Sequence, residues 1–320
     1  MHVLCWTEYV PETVIDGFSR SAQAKVEVAT YNSNEQMLEM LQKKPAFYDL
    51  IQPSGFYVES LAEKGELELL DVSRIRNRKY LDDRYLHPAH DPDGKYSVPW
   101  LAGTVGIVVN TQRITKPIQD WDEVFDGSHA GRIVVIDDPR EMTAWALASL
   151  DLPIAEVGDR SLERAEPVLA RWLPQVAVFD SDSPKTALLD GRADIGIVWS
   201  GEAALLWEKD HHFVYTLPAR GAHRFIDSLA IPKGAPQKAL AEDFMNYCLD
   251  PKVSVLISAA YPYTNPNAAA RKLLSAEQLA NPASYPPGDP ALPTLRNIGN
   301  TTPAVAAFVE GVRRRLKSGN

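Results

Sequence analysis

The sequence lacks several features that mark common classes of protein. Its 320 residues include only two cysteines, Cys5 and Cys248. Two cysteines allow at most one disulfide and match no spacing of a metal site, so we expect two buried free thiols. No stretch approaches the roughly 20 apolar residues that a membrane-spanning helix needs. The sequence therefore predicts neither a disulfide-rich scaffold nor a membrane protein.

The chain also lacks an excess of basic residues. The chain has 33 Lys and Arg against 42 Asp and Glu, a formal net charge of −9. This balance argues against nucleic acid and anionic membranes as partners, and it favours a cationic ligand. The only compact basic run, Arg313-Arg314-Arg315, is predicted to end a solvated helix near the C-terminus.

Motifs of catalysis and of metal binding are missing as well. The sequence contains no dinucleotide-binding glycine pattern, no phosphate-binding loop, no nucleophile elbow and no zinc-protease motif. The residues His87, His90 and Asp91, and the pair His211-His212, are of metal-ligand type, but both groups lie in polar stretches that we expect to be exposed. We therefore predict no catalytic residue, no cofactor and no metal.

Short apolar runs alternate with helical patterns along the first half of the chain. Strands are predicted at His2–Trp6, 26–31 and 48–52, with helices at 11–22 and 34–44 between them. This alternation is typical of a parallel sheet with helices on both faces. The alternation restarts with a strand near residue 132. At roughly 150 residues per domain, a chain of 320 residues is also long enough for two domains.

Two extended segments divide the predicted α/β blocks. Residues 98–110 and 224–231 are expected to cross from one lobe to the other. The sequence thus predicts a first lobe of 1–104 and 226–271, a second lobe of 107–222 and 275–320, and hinges near 103–108 and 222–227. A hinge of this kind suits closure around a ligand.

Polar and aromatic residues follow four of the predicted strands, at the edge where open α/β sheets bind ligands. Carboxylates can pair with ammonium groups, and rings add cation–π contacts of about 0.5–2 kcal/mol each. These stretches therefore suit an organic cation. They are Trp6-Thr7-Glu8-Tyr9, Pro53-Ser54-Gly55-Phe56-Tyr57, Asp137-Asp138-Pro139-Arg140-Glu141 and Trp199-Ser200-Gly201-Glu202.

Each stretch also has a purely structural interpretation. The segment Asp138-Pro139-Arg140-Glu141 has the pattern of a helix capping box with proline at the first helical position. Core packing would explain Trp6 and Trp199, and solvent exposure would explain Glu8 and Glu202. The tripeptide 180–182 is interpreted as a polar strand end or loop near the cleft.

Asp227 is a more specific candidate for a binding residue than the carboxylates of these four stretches. Strand alternation places it on one face with Phe225, Leu229 and Ile231, which are all apolar. A carboxylate on such a face is costly unless it is paired. The sequence leaves two partners open, a buried arginine or the cation of a ligand.

Together these stretches resemble the spermidine/putrescine type of periplasmic solute-binding protein, which serves bacterial ABC importers. The matching segments follow the family's order and cover nearly the whole chain. They are Trp6-Thr7-Glu8-Tyr9-Val10-Pro11, Tyr48-Asp49-Leu50-Ile51-Gln52-Pro53-Ser54, Tyr96-Ser97-Val98-Pro99-Trp100, Asp137-Asp138-Pro139-Arg140-Glu141, Trp199-Ser200-Gly201-Glu202, Phe225-Ile226-Asp227-Ser228-Leu229-Ala230-Ile231-Pro232 and Tyr263-Thr264-Asn265-Pro266-Asn267.

The resemblance implies a two-lobed flytrap fold, with a mixed sheet flanked by helices in each lobe and two crossover segments. It implies a monomeric, non-enzymatic protein of the periplasm that binds a polyamine between its lobes and delivers it to ABC-transporter permease subunits. A secretion signal is not visible, so we expect one outside this sequence. The ligand-binding residues that it implies are Trp6, Thr7, Glu8, Tyr9, Ser54, Phe56, Asp138, Glu141, Ser181, Trp199, Glu202, Phe225, Asp227 and Tyr263.

The details are mixed between the two ligand types. Phe225 resembles the putrescine type, and Glu202 supplies a carboxylate where that type has aspartate. Thr7, Glu8, Phe56 and Asp138 match the spermidine type. The resemblance therefore favours spermidine slightly over putrescine as the ligand. Two alternatives stay open, a binding protein of the same fold for another amine or amino-acid-derived solute, and an enzyme that uses two carboxylates as an acid/base pair.

Overall fold

The computed structural model describes residues 1–154, 159–287, 295–296 and 303–318. The strands are β1 (His2–Trp6), β2 (Glu27–Tyr31), β3 (Leu50–Ile51), β4 (Ser97–Asn110), β5 (Ile133–Val135), β6 (Val176–Phe179), β7 (Ile195–Trp199), β8 (Phe213–Thr216), β9 (Ala222–Ala230) and β10 (Leu295–Arg296). The helices are α1 (Glu12–Ala22), α2 (Asn34–Lys43), α3 (Gly55–Glu63), α4 (Asp83–Leu86), α5 (Trp121–Val124), α6 (Pro139–Ser149), α7 (Asp159–Trp172), α8 (Lys185–Leu189), α9 (Ser200–Lys209), α10 (Lys238–Cys248), α11 (Pro251–Ala260), α12 (Ala268–Arg271), α13 (Ala276–Ala280) and α14 (Pro303–Ser318). Short 3₁₀ helices lie at Arg76–Tyr80 and Leu173–Gln175.

The chain divides into two compact units. The first contains Met1–Ala102 and Phe225–Ala280, and the second contains Gly103–Arg224 and Asn281–Asn320. The chain therefore passes from one unit to the other within β4, within β9 and again directly after α13.

The first unit is built on a sheet in the order β2-β1-β3-β9. Strand β1 is parallel to β2 and to β3, whereas β9 runs antiparallel to β3. Because β1 and β3 are parallel, their carboxyl ends meet at one edge, and the polar segments that follow them lie there. Leu4, Met37, Ile51 and Val58 are fully buried in the core of this unit.

The second unit has a mixed sheet in the order β8-β4-β7-β5-β6. Strands β6, β5 and β7 are mutually parallel, and β4 is antiparallel to both β7 and β8. Apolar clusters cover both faces of this sheet. Position 106 in β4 has no room for a side chain, because a Cβ there would lie 2.6 Å from the ring of Tyr215.

Local sequence signals account for several element boundaries. The predicted strand at His2–Trp6 is confirmed residue for residue, and the helix predicted at 11–22 is observed at Glu12–Ala22. Helix α2 begins after Ser33, whose hydroxyl accepts a hydrogen bond from the backbone of Gln36. The sequence did not predict α7, which carries Pro167 in its interior, or α9, which follows directly on a strand.

Both cysteines are free thiols in the first unit, Cys5 in β1 and Cys248 in α10. Each is about 1% exposed. Burial raises the pKa of the Cys5 thiol to about 12 and raises the pKa of Cys248 well above its ordinary value.

Two further searches cover the described residues only. None of the helices there combines the length and the apolar character that a membrane crossing requires. Nor do those residues bring three or more His, Cys, Asp or Glu side chains together in an arrangement that would hold a metal ion.

One exposure prediction is wrong. Asp91 is only 5% exposed and accepts hydrogen bonds from the backbone of Lys95, Tyr96 and Ser97. His90 is half-buried, because its imidazole packs on Gly55, where an added Cβ would lie 2.4 Å from Nδ1. Turn formation and helix packing, rather than polarity of the stretch, decide the burial here.

Candidate functional site

A buried carboxylate held by two hydroxyls lies at the polar edge of the first unit. Asp227 in β9 is 2% exposed. Its Oδ2 accepts a 2.7 Å hydrogen bond from the hydroxyl of Tyr9, and its Oδ1 accepts a 2.6 Å bond from the hydroxyl of Ser54. The sequence had suggested an arginine or a ligand cation as partner, and these two hydroxyl partners were not predicted. Each of these hydroxyls donates one hydrogen bond to a carboxylate oxygen.

The sheet explains why these three residues meet. Ser54 follows β3 and forms an antiparallel bridge with Asp227 in β9. Tyr9 follows β1, the strand next to β3. Burial, with the nearby Asp227 carboxylate, raises the pKa of Tyr9 well above its ordinary value. The phenol thus stays protonated and remains a donor to the carboxylate.

A group of aromatic rings extends from Tyr9, which donates to this carboxylate. The centroid of Tyr263 lies 5.1 Å from that of Tyr9 and 6.1 Å from that of Phe225. Trp6 lies 6.3 Å from Tyr9 and 4.7 Å from Tyr31. These separations are typical of interacting aromatic pairs. The first unit thus places a buried carboxylate at one end of a group of contacting rings, and such rings can add cation–π contacts to a bound cation.

The remaining predicted residues of the first unit lie on the same strand ends. Glu8 is exposed and has a φ of 57°, a left-handed conformation that is uncommon for glutamate and is often found at functional sites. The hydroxyl of Thr7 donates to the backbone oxygen of Tyr31 at 3.3 Å. Phe56, in the first turn of α3, packs edge-on against Tyr57 at 5.1 Å.

Asn34 is a positioning residue that the sequence did not reveal. Its side-chain amide donates to the Ser54 hydroxyl at 3.1 Å and its Oδ1 accepts from the Ser54 backbone at 3.2 Å. It therefore orients the hydroxyl that Ser54 donates to Asp227. Asn34 is buried at the first position of α2. An asparagine at the start of a predicted helix is a weak signal for such a role, because the sequence does not show that its side chain contacts Ser54.

In the second unit, Asp138 is the N-cap of α6. Its Oδ1 accepts hydrogen bonds from the backbone of Arg140 at 2.8 Å and of Glu141 at 3.2 Å. The guanidinium of Arg140 lies 3.9 Å from Oδ2, and the Asp138 side chain is 24% exposed. The capping interpretation is confirmed for Asp138, with Pro139 at the first helical position.

Glu141 does not close the expected capping box. It is fully buried, its Oε1 lies 2.6 Å from Nδ1 of His223, and its Oε2 accepts from the indole of Trp145 at 3.3 Å. The residue predicted to bind a ligand ammonium therefore has protein partners at both oxygens. Its contact with a ligand stays a prediction.

Three further predicted residues follow β6 and β7. The indole of Trp199 donates to the backbone oxygen of Ser181 at 3.4 Å. Among the described residues, the buried hydroxyl of Ser181 finds no hydrogen-bond partner. Glu202, in the first turn of α9, is 5% exposed and forms an ion pair with Lys185 at 2.6 Å. Neither Lys185 nor His223 was predicted as a partner of these carboxylates, because sequence alone does not reveal which side chain a buried carboxylate will contact.

The predicted residues thus fall into two groups. Nine lie in the first unit around Asp227, at the ends of β1 and β3, on β9 and in the segment after α11. Five lie in the second unit after β5, β6 and β7, which are adjacent and parallel, so that their carboxyl ends share one edge.

Comparisons with known proteins agree with this architecture. The profile of the bacterial extracellular solute-binding protein family matches residues 13–286. The chain is 32% identical over 318 residues to the spermidine/putrescine-binding periplasmic protein of Escherichia coli K12, covering 98% of this chain and 90% of that protein. It is 28% identical over 312 residues to the putrescine-binding periplasmic protein of the same organism, covering 90% of this chain and 84% of that one.

Solved structures confirm the fold. A Listeria monocytogenes protein assigned to spermidine/putrescine ABC transport superposes with a TM-score of 0.92 at 28% identity, over 100% of this chain and 99% of that one. A spermidine/putrescine substrate-binding protein of Streptococcus pneumoniae gives 0.84 at 24% identity, over 99% and 98% of the two chains. The predicted mixed α/β fold of periplasmic binding proteins is thereby confirmed. The chain belongs to the bacterial extracellular solute-binding protein family, whose members are not enzymes, and is the solute-binding component of an ABC transporter of the polyamine-binding family.

Proposed function

We propose that this protein binds spermidine or putrescine and presents it to the permease subunits of an ABC importer. The observation that carries the proposal is the buried Asp227 carboxylate, held by the hydroxyls of Tyr9 and Ser54, with the Tyr9 ring packed against that of Tyr263. An ammonium group satisfies the charge of such a carboxylate, and ring faces suit the methylene chain of a polyamine. The names of the relatives support the same ligand class.

The remaining parts of the proposal rest on the family resemblance. The predicted residues of both units take part in binding, and the segments within β4 and β9 act as hinges. The protein acts as a monomer in the periplasm, as its relatives' names indicate for their location.

Calorimetric titration of ligand-stripped protein tests the ligand class. Spermidine, putrescine, spermine, cadaverine and γ-aminobutyrate are titrated separately. One-to-one binding of a di- or triamine is expected. If none of these amines gives heat at millimolar concentration, the polyamine assignment is wrong, and binding of γ-aminobutyrate alone would assign the scaffold to an amino-acid-derived solute instead.

A further inference from the structure

The ion pair between Lys185 and Glu202 engages both oxygens of one predicted ligand carboxylate. The Lys185 ammonium lies 2.6 Å from Glu202 Oε1, and the Lys185 backbone N–H donates to Oε2 at 3.3 Å. The ammonium also donates to the hydroxyl of Ser183 at 3.2 Å. The two side chains are only 17% and 6% exposed, so the pair is largely shielded from water.

This ion pair lies at the polar edge of the second unit. Lys185 begins α8, shortly after the end of β6, and Glu202 lies in the first turn of α9, directly after β7. The neighbouring loop carries Ser181, whose backbone oxygen accepts from Trp199. The lysine therefore lies among the residues that the resemblance assigns to ligand binding.

The chemistry of lysine is decisive here. Its side chain is a four-carbon chain that ends in a primary ammonium, as does the aminobutyl end of putrescine or spermidine. We propose that Lys185 is a specificity-determining residue, whose ammonium takes the position on Glu202 that a ligand ammonium would take, and so restricts the protein to diamines rather than triamines. This inference rests on the proposed binding of polyamines.

A second pair supports the same conclusion. Glu141 contacts His223 and Trp145 and is fully buried, so a second predicted ligand carboxylate also has partners within the protein. Every desolvated ammonium of a ligand needs a counter-charge. With Glu141 and Glu202 engaged by the protein, the second unit has fewer carboxylates for the additional ammonium of a triamine.

Isothermal titration of the native protein with putrescine and with spermidine is the first test. We expect putrescine to bind more tightly. A wild-type protein that prefers spermidine by about tenfold or more, a difference near 1.4 kcal/mol, would overturn the inference without any mutation.

Variants then test the residue itself. Lys185→Gln frees the Glu202 charge while it keeps a hydrogen-bonding side chain, and Lys185→Met serves if the glutamine variant fails to fold. In either variant the spermidine affinity is expected to rise relative to putrescine by about tenfold or more, the worth of one charge-assisted hydrogen bond. The double variant Lys185→Gln/Glu202→Gln should abolish that gain, because no anion is left to hold the ammonium.

The matched control is Lys209→Gln, at the exposed end of α9, which makes the same change in net charge. An equal gain in this control, an unchanged ligand ratio in the Lys185 variants, or a gain that persists in the double variant would refute the role of Lys185. A failure of the proposed function is distinguishable, because then neither the wild type nor any variant binds either amine.

Discussion

The hydroxyl of Tyr9 donates to the carboxylate of Asp227 at 2.7 Å, although 218 positions separate the two residues in the chain. The contact joins the segment after β1 to β9, and Ser54 completes it after β3. The two hydroxyls hold the carboxylate in one orientation before any ligand arrives. Such preorganisation lowers the entropic cost of binding a cation.

Asp227→Asn tests the charge of this carboxylate. The amide keeps the shape, since its oxygen can accept from one hydroxyl and its NH2 can donate to the oxygen of the other, so the thermal midpoint should change little. Polyamine affinity should fall by about 2–5 kcal/mol, the cost of breaking a desolvated charge pair. Calorimetric titration and a circular-dichroism melt check the two expectations, and a strongly destabilised variant with normal affinity would show that the charge serves the fold.

Tyr9→Phe separates the hydroxyl from the ring. The variant keeps the contact with Tyr263 but removes one donor to Asp227. We expect a smaller loss of affinity, about 0.5–1.5 kcal/mol for one hydrogen bond. A loss as large as that of Asp227→Asn would mean that the hydroxyl, more than the carboxylate charge, contacts the ligand.

Asp138 has a structural and a proposed binding role, which two substitutions separate. Asp138→Asn keeps a good N-cap but removes the charge, whereas Asp138→Ala removes both and should cost about 1 kcal/mol of stability. If the carboxylate binds the extra ammonium of spermidine, both variants should weaken spermidine more than putrescine, by about 1–2 kcal/mol. Equal losses for the two ligands in titrations of Asp138→Asn would show that this carboxylate does not distinguish them.

Tryptophan fluorescence should report polyamine binding. Trp6 and Trp199 are partly buried beside other predicted ligand residues, so a bound cation or a change in their exposure alters their emission. A saturable change with one-to-one stoichiometry is expected, and Trp6→Phe and Trp199→Phe should each reduce its amplitude. An unchanged amplitude in both single variants would assign the signal to tryptophans elsewhere in the chain.

His90 should make stability depend on pH. Burial lowers its pKa from 6.5 to about 4. Between these values the unfolded chain binds a proton that the folded chain does not, so the free energy of unfolding should fall as the pH drops from 6.5 towards 4. The contribution of His90 is up to about 3 kcal/mol.

Urea unfolding at pH 7 and at pH 4.5 measures this contribution. His90→Asn should lose less stability between the two pH values than the wild type does. The exposed His211 provides a control, since His211→Asn should leave the difference unchanged. If His90→Asn loses as much unfolding free energy between pH 7 and pH 4.5 as the wild type does, carboxylates rather than this imidazole account for the acid sensitivity.

The sequence predicted the secondary-structure elements, and the polar residues at the strand ends, better than it predicted which side chains pair with the site carboxylates. The pattern of apolar residues located β1 and α1, because side-chain periodicity depends only on local geometry. It also placed Asp227 on a buried face. The hydroxyl partners of Asp227 come from distant segments, as do Lys185 and His223, the partners of Glu202 and Glu141. Nothing in a single sequence encodes such pairings.

The burial of Cys5 and Cys248 has a practical consequence. The thiolate is the form of cysteine that attacks an electrophilic reagent, and both thiols are buried and have a raised pKa. A cysteine introduced on the surface would therefore take a maleimide dye selectively while the chain stays folded. The native sequence thus already suits the construction of a fluorescent sensor for its solute, without removal of either natural thiol.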